Sequence, residues 1–562
     1  MYRRLVSKKD YKKFIRGIIE GIVLLLLLII LLKSLFDTTS YEPFTNDLIL
    51  NEKGQEDTGF IALAYLGVSR MGADTVISTQ RLEEHLEALY NNGYVTITQQ
   101  DVIDYYTKDK KLPKKALFLI FEDGYTGTAI FAQKILEKYN FKATMVTYGD
   151  KMFSRDSAFL DAKDLGNLER STFWEIGTNG YRLSYINVFN KENHYIGELE
   201  STQFNILAPQ LGRNYNHYLM DYIRDDYGIP KETYAQMKER IIADYELLEK
   251  AYKEGIGYIP QLHVLMHANT GAFGNNQKVS DLNEQYIKLM FAMNFNREGF
   301  SFNNKVSTLY DLTRMQGQGY WYPNHLLMRI QDDSKVSVTF VIGDDKRTKD
   351  WELIRGAAEY RGEDIVLTSE SKSSGLIRLK ESTSYENYIV STRLTGNVIG
   401  SQSLYLRADD NLENYIKIQI VNNQLYVYEC IKNKESLLYE KKISEEDDNT
   451  KQIEIHDKGA YALKVILNKD TLQIQLDEEI LEEIFIGLEG KGSLYLESSW
   501  VEGYSQRNLY DDVYDGVFEQ VVISTVDNQT ILYDNRYDSY EKMKKKIEKL
   551  IHNIVNWFIE TL

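Results

Sequence analysis

The chain has 562 residues, 43% of them hydrophobic, and a formal net charge of −17. That length calls for more than one domain, and so acidic a balance counts against nucleic acid as a partner. The single cysteine, Cys430, excludes a disulfide-stapled secreted module. The charge is unevenly spread: residues 1–36 hold eight Lys or Arg against two acids, so the remainder carries −23. Residues 1–16 form a basic tail, and residues 17–36 follow as an apolar run that is unbroken aliphatic from Ile22 to Leu32. About 20 residues is the length a bilayer core needs. The basic flank precedes the run, which predicts a cytoplasmic N-terminus with everything beyond the run outside the cell. No small-x-small cleavage pattern follows, so a retained single-pass anchor is expected in place of a removed signal peptide. Residues 37–57 are polar and read as a tether.

The first globular unit is expected over residues 58–333. Phe60–Val68 reads as an apolar strand, and Thr79–Asn91 as an amphipathic helix on Leu82, His85, Leu86 and Leu89. A short strand over 93–97 and a short helix over Gln100–Tyr106 come next. Ala116–Phe121 is a continuous apolar run, the pattern of a strand buried on both faces. Glu122-Asp123-Gly124 stands at its carboxyl end, helical spacing follows over Phe131–Tyr139, and Ala143–Tyr148 reads as the next buried strand. A strand–helix–strand unit with two carboxylates at the strand's exit is where α/β folds place their sites. Further on, residues 184–250 are expected to be helical, most clearly over Tyr234–Tyr252. Ile256–Met266 is strand-like and leads to His267, and Tyr310–Arg329 is expected to hold the closing strand.

Ile120-Phe121-Glu122-Asp123-Gly124 resembles the Thr-Phe-Asp-Asp-Gly motif of the polysaccharide deacetylases, a carbohydrate esterase family. Trp174-Glu175-Ile176-Gly177-Thr178 resembles that family's Trp-Glu-Ile-Gly-Ser. The Leu112-Pro113-Lys114-Lys115 lead-in is similar to that of members acting on exported poly-N-acetylglucosamine. The resemblance implies a distorted (β/α) barrel with its site at the carboxyl ends of the strands. In the family the first Asp is a general base, and the second binds a divalent metal with two histidines. The metal polarises the acetyl carbonyl and activates a water. By position Glu122 would be the base and Asp123 a metal ligand, while the two histidine positions hold Asn179 and Leu183. An amide is a weak, hard oxygen ligand and a poor match for Zn²⁺, and a leucine is none. His263 and His267, four apart, are the alternative imidazoles, with His267 where the family's active-site loop falls.

The resemblance further implies an N-acetylated amino-sugar polymer as ligand, Zn²⁺ as cofactor if the chain is active, and a place beside exopolysaccharide synthesis and export proteins. Tyr125, Trp174, Tyr320 and Trp321 are the candidates for stacking on sugar rings. Three readings stay open: a metal-dependent N-deacetylase, a glycan-binding or scaffolding subunit without turnover, and a metal-independent glycoside hydrolase. The last would pair Glu122 with a second acid among Asp123, Glu175 and Asp161.

Over residues 334–535 helical spacing gives way to short alternating runs, from Val336–Ile342 through Phe518–Ser524, with turn signals such as Asn422-Asn423 between them. Many short strands at this spacing predict a β-sandwich. Leu404–Asp410 and Asn414–Ile418 resemble concanavalin A-like and laminin-G-like jelly rolls, which implies glycan or protein binding. Residues 536–562 predict an amphipathic helix with a lysine-rich start and apolar residues at 543, 547, 550, 551, 554, 555, 558 and 562. Such a stripe suits either the outer membrane surface or a protein docking face, and docking against a domain or partner is the expectation. The chain is thus predicted to be multidomain, α/β followed by all-β.

Overall fold

The computed structural model describes residues 8–36, 39–45, 48, 59–73, 75–212, 216–265, 276–443, 458–502, 511–547 and 550–551. Lys8–Phe36 form one helix, α1, of 29 residues, about 44 Å long at 1.5 Å per residue. Its Ile18, Ile22, Val23, Leu24, Leu25 and Leu28 side chains are exposed. The side chains of residues 26, 27 and 29–36 are outside the described set. Among the described residues no helix is long and apolar enough to cross a membrane.

Seven parallel strands close into a barrel: β1 (Phe60–Tyr65), β2 (Ala116–Phe121), β3 (Ala143–Tyr148), β4 (Trp174–Gly180), β5 (Leu262–Val264), β6 (Met293–Glu298) and β7 (Leu312–Gln316). The order round the barrel is β1-β7-β6-β5-β4-β3-β2, and β2 pairs back to β1 from Ile61↔Leu117 to Tyr65↔Phe121. Alternation divides each strand between two cores. Ala62, Ala64, Phe118, Ile120, Val146, Leu262, Val264, Phe295 and Leu312 fill the interior. Leu63, Leu117, Leu119, Met145 and Ile176 face the surrounding helices. Those helices are α2 (Thr79–Asn91), α4 (Thr126–Tyr139), α5 (Ala162–Arg170), α6 (Tyr234–Gly255), α7 (Gln277–Met290) and α8 (Pro323–Ser334), whereas α3 (Gln99–Thr107) sets Val102 and Tyr105 against the interior cluster. Thr98, Asp161 and Thr233 open α3, α5 and α6 with reciprocal capping boxes.

Up to α8 the structure departs from the sequence reading in three places. Most of the described part of residues 184–217 is not helical. Ser184–Phe189, Tyr195–Glu200 and Asn216–His217 make a small antiparallel sheet, with one short helix at Ser201–Leu207. The run Tyr185-Ile-Asn-Val-Phe189 carries β-branched and aromatic residues that favour a strand. The closing strand is Leu312–Gln316 alone; Leu326–Ile330 lies in the buried helix α8, started by Pro323. The predicted tether is not free throughout, because Tyr41 donates its backbone N–H to Thr172 Oγ1 (2.8 Å) and its hydroxyl to the Thr96 carbonyl (3.0 Å). Phe44 packs against the barrel's interior cluster.

Beyond α8 two antiparallel sheets face each other as a β-sandwich. One runs Trp351–Arg355, Ser374–Leu379, Ser493–Ser499, Ser401–Ala408, Tyr415–Val421, Gln424–Ile431, Lys434–Lys442. The centre of the other runs Asp364–Thr368, Asp515–Thr525, Tyr388–Asn397, Lys458–Asn468, Thr471–Leu476. Leu404, Leu406, Ile416, Ile418 and Val427 of the first meet Leu394, Val465, Ile474 and Phe518 of the second. The predicted strand at Val336–Ile342 does not form. That segment crosses to the sandwich along α8, held by Asn92 on Thr339 and by Asn324 on Val341.

A buried charge network joins barrel and sandwich. His325 of α8 places Nδ1 3.0 Å from Asp515 Oδ2 and Nε2 3.0 Å from Asp511 Oδ1. Arg329 and the indole of Trp321 also donate to Asp511, at 3.1 and 2.9 Å. Burial alone would depress His325, but Asp511 and then Asp515 outweigh it and raise its pKa to about 9. A folded value above the unfolded one of about 6.5 gives stabilisation that is complete below about pH 6.5 and lost as pH rises through 9. Calorimetric unfolding should therefore lose about 3 kcal/mol of stability between about pH 6.5 and 10 from this group, and His325→Gln should flatten that slope.

Candidate functional site at the barrel mouth

The carboxyl ends of β2, β3, β4, β6 and β7 converge on a cluster of polar side chains. Glu122 continues β2, its backbone N–H bonded to the Tyr65 carbonyl (2.9 Å), so strand alternation sends its side chain inward above Ile120. Leu312, Arg314 and Gln316 share the inward face of β7 in the same way. Arg314 donates Nε to Glu122 Oε1 (2.6 Å) and Nη2 to Glu122 Oε2 (3.2 Å) and to Glu298 Oε1 (2.9 Å). Glu122 and Arg314 are both fully buried, and the two carboxylates hold Arg314 charged against the cost of burial.

Asp123 sits in the left-handed region at φ 68°, followed by Gly124 at φ 69°. A Cβ on Gly124 would lie 2.6 Å from Thr147 Cγ2, so only glycine fits this turn. Asp123 Oδ1 is buried with no hydrogen-bond partner, and so is the Tyr148 hydroxyl at the end of β3. Burial and then the charge of Glu122 push Asp123 up to about 7, with Arg314 and the nearby Tyr148 hydroxyl pulling the other way. Asn179, at the end of β4, accepts from the Asp123 backbone N–H (3.3 Å) and donates to the Val264 carbonyl (3.4 Å).

A divalent cation needs about three protein donors in place. At the mouth end the described set offers two orphaned carboxylate oxygens, one on Asp123 and one on Asp150 just past β3, and the other oxygen of Asp150 is paired with Lys151 (3.6 Å). Asn179 spends its amide on the backbone, and Leu183 packs with Tyr185, Val188 and Leu199 in a separate apolar cluster. No group of three or more His, Cys, Asp or Glu side chains among the described residues is placed to hold an ion. The described donors therefore do not fit the metal that the sequence resemblance implies. His263 corrects the expectation of a replacement imidazole. It alternates with the inward-facing Leu262 and Val264, stacks on Phe291 at 4.5 Å and bonds Asn294 through Nδ1 at 2.8 Å. It thus faces the helices, and burial lowers it to about 4. His267 lies outside the described residues.

The candidate sugar platforms divide. Tyr125 borders the mouth, half-buried and stacked on Phe159 at 4.9 Å. Trp174 does not reach it. It opens β4 at the barrel's opposite end, 2% exposed, edge-on to Phe121, with its indole N–H on Gln133 Oε1 (2.6 Å). Trp321 is equally buried, in the contact between barrel and sandwich. Tyr320 lines a cavity of about 70 Å³ in that same contact, with Tyr322, Asn397, Lys458 and Tyr514. Of the carboxylates considered as glycosidase partners, Glu175 is remote: it accepts from the backbone of Gln99 (2.9 Å) near the start of β4, roughly 13 Å down the strand from Asn179 at about 3.3 Å per residue. Asp161 lies nearer, one residue after Leu160, whose N–H bonds the Gly124 carbonyl (2.9 Å), but its carboxylate caps α5.

Sequence reasoning missed Arg314, Glu298 and Tyr148. The signal for Arg314 was present in Leu312-Thr-Arg-Met-Gln316, since period two puts 312, 314 and 316 on one face and a guanidinium facing a barrel core requires a carboxylate.

Similarity to known proteins agrees with the motif reading. YxkH of Bacillus subtilis, a candidate polysaccharide deacetylase, is 34% identical over 87 residues, 16% of this chain and 31% of that protein. The poly-beta-1,6-N-acetyl-D-glucosamine N-deacetylase of Escherichia coli K12 is 24% identical over 224 residues, 37% of this chain and 30% of that protein. The chain thus spans about a third of the length of each curated relative. Among solved structures, the deacetylase domain of BpsB from Bordetella bronchiseptica matches at 13% identity and a TM-score of 0.36, over 47% of this chain and 98% of that one. No family model matches the chain. These likenesses cover only part of each curated relative, and they fall on the segment that carries the deacetylase-like motifs.

Arg314 neutralises two carboxylates, so removing it strands both. Arg314→Met should cost about 3–5 kcal/mol of stability. Glu122→Gln should cost less, because Glu298 still pairs the arginine. The double variant should recover part of the Arg314→Met loss, a coupling of about 1–3 kcal/mol in a urea-denaturation double-mutant cycle.

Proposed function

We propose that this chain is a membrane-anchored, extracellular protein of polysaccharide-deacetylase type that binds an N-acetylated amino-sugar polymer at the barrel mouth rather than hydrolysing it through a metal. The observation that carries this reading is the fate of the two positions where the family places imidazoles. Asn179 is tied to backbone groups on both sides, and Leu183 belongs to another core. Glu122, the positional equivalent of the base, has both oxygens on Arg314. Asp123 and Tyr148, which interact with each other without a hydrogen bond of full geometry, and the ring of Tyr125 are suited to sugar hydroxyl and acetamido groups. The β-sandwich, of the concanavalin-like kind suggested by its sequence, supplies a second glycan contact. α1 supports the anchor: its exposed aliphatic side chains need a non-aqueous environment, and the basic residues before the run put the N-terminus inside. A protein so placed works beside the machinery that makes or exports the polymer.

A second reading is favoured by one observation, the partnerless Asp123 oxygen, which is the part of a metal site that remains. In that reading His267 and its neighbours complete the donor set and the chain is a metal-dependent N-deacetylase. A metal-independent glycosidase is not favoured, because it needs a second carboxylate roughly 5–9.5 Å away and free of a counter-ion.

Elemental analysis of the purified full chain, paired with retention of N-acetylglucosamine oligosaccharides, separates the first two readings. The expected result is far less than one Zn²⁺, Co²⁺ or Ni²⁺ per chain, glycan retention that survives a chelator, and no release of free amine. Stoichiometric metal with chelator-sensitive amine release would establish the enzyme. Tyr148→Phe should weaken glycan retention by about tenfold, the worth of one hydrogen bond at a buried site, and leave the melting temperature nearly unchanged.

A further inference from the structure

The C-terminal helix begins where the sandwich ends. Asp538 Oδ1 accepts from the Glu541 backbone N–H (2.8 Å), Glu541 Oε2 accepts from that of Asp538 (2.9 Å), and Arg347 reaches the same carboxylate (3.2 Å). Tyr537 is held through its backbone by Glu363 (2.7 Å). Residues 539–547 and 550–551 are helical. Past this fixed first turn the described apolar side chains of the helix stay uncovered, contrary to the expectation that its stripe docks on a neighbouring domain. Tyr540, Met543, Ile547, Leu550 and Ile551 are 50–70% exposed, and none packs against the sandwich core or the cluster between sandwich and barrel.

At 100° per residue these five side chains fall within an arc of about 100°. Lys544 and Lys546 border that arc on either side, and Lys542 lies beyond Lys546. A wide apolar stripe edged by lysines, on a chain with a net charge of −17, marks a local reversal of the protein's overall sign. Stacking two copies stripe to stripe would set the bordering lysines of one beside those of the other, which like charges disfavour. A surface of lipid phosphates instead neutralises them while the acyl boundary takes the apolar side chains.

We propose that the C-terminal helix is an interfacial membrane-binding element that lies on an anionic lipid surface, with the Tyr540–Ile551 stripe at the acyl boundary and Lys542, Lys544 and Lys546 among the phosphates. The assignment does not depend on α1 or on what the barrel binds.

Cys430 is the sole cysteine, so single-site labels can be placed in a Cys430→Ser background. Full-length Ile547→Cys and Lys545→Cys variants carrying an environment-sensitive dye are mixed with vesicles of phosphatidylcholine, with or without phosphatidylglycerol. The label at 547 is expected to blue-shift and become shielded from iodide on the anionic vesicles only. The label at 545, on the opposite face, should stay quenchable. The triple change Lys542→Glu, Lys544→Glu, Lys546→Glu should abolish the shift. Shielding at 547 that is equal on both vesicle types or present without vesicles would mean that protein covers the stripe, and would overturn the proposal. So would a label at 547 that stays accessible throughout. Resistance of the chain to carbonate extraction reports α1 separately, so loss of the anchor and loss of the interfacial helix are distinguishable.

Discussion

The guanidinium of Arg314 is the constraint around which the barrel mouth is organised. It lies midway along β7, yet one of its carboxylates comes from the end of β2 and the other from β6. β6 is its neighbour, but β2 is not, because β1 stands between them. The arginine must therefore cross the face of β1, whose inward residues beyond Phe60 at the strand's start are Ala62 and Ala64. Small side chains there leave the passage open; a leucine at either position would fill it. An unpaired charge at this depth is costly by several kcal/mol, so closing the barrel and forming the ion pair are one event. Strand order, the two alanines and the two carboxylates are parts of a single solution.

That solution shapes what the mouth can do. Glu122 is kept in place by its pair, so the group beside it must accommodate a fixed negative charge. Asp123 responds with a pKa raised to about 7, chiefly through burial and then through Glu122. In a metal site a dication would absorb both charges. Here Asn179 serves the backbone instead. Its carbonyl oxygen takes the N–H of the strained Asp123 turn, and its amide nitrogen reaches β5. One side chain thus fixes the left-handed turn to a neighbouring strand of the barrel. The polar groups left without partners, on Asp123 and Tyr148, are of the kind that neutral, hydroxyl-rich ligands satisfy.

Much of this was legible in the sequence, and the exceptions have physical causes. The buried strands at Ala116–Phe121 and Ala143–Tyr148 are unambiguous because apolar runs bounded by Gly-containing turns have few other uses. The sandwich strands were found because each alternates cleanly, as in Tyr415–Val421. The barrel mouth was located by Glu122-Asp123-Gly124, a local motif. Arg314 and Glu298 escaped because they lie 192 and 176 positions beyond Glu122 in the sequence, and pairing across a closed barrel leaves no local trace. Trp174 and Trp321 misled because an indole that stacks on sugar and one that fills a core look alike in text. Their exposure of 2% decides the matter, and each spends its N–H on a partner within the protein.

The docked residues 41–44 carry a further consequence for how the site would face a membrane. Tyr41 contacts Thr96 and Thr172, which precede β2 and β4 in the barrel, and Glu42 binds Asn140, just before β3. All three lie at the barrel's amino-terminal end, opposite the mouth. α1 ends at Phe36, so only residues 37–40 separate it from this attachment, and four residues span at most about 14 Å. With α1 as the proposed membrane anchor, a barrel held so closely by its floor would turn that floor toward the membrane. The mouth, with Asp123, Tyr125 and Tyr148, would open away from the lipid, toward a polymer already clear of the surface. Approach from the lipid side would be blocked by the barrel itself. A site meant to act on lipid-linked precursors would need the reverse attachment, with the linker bound at the carboxyl ends of the strands.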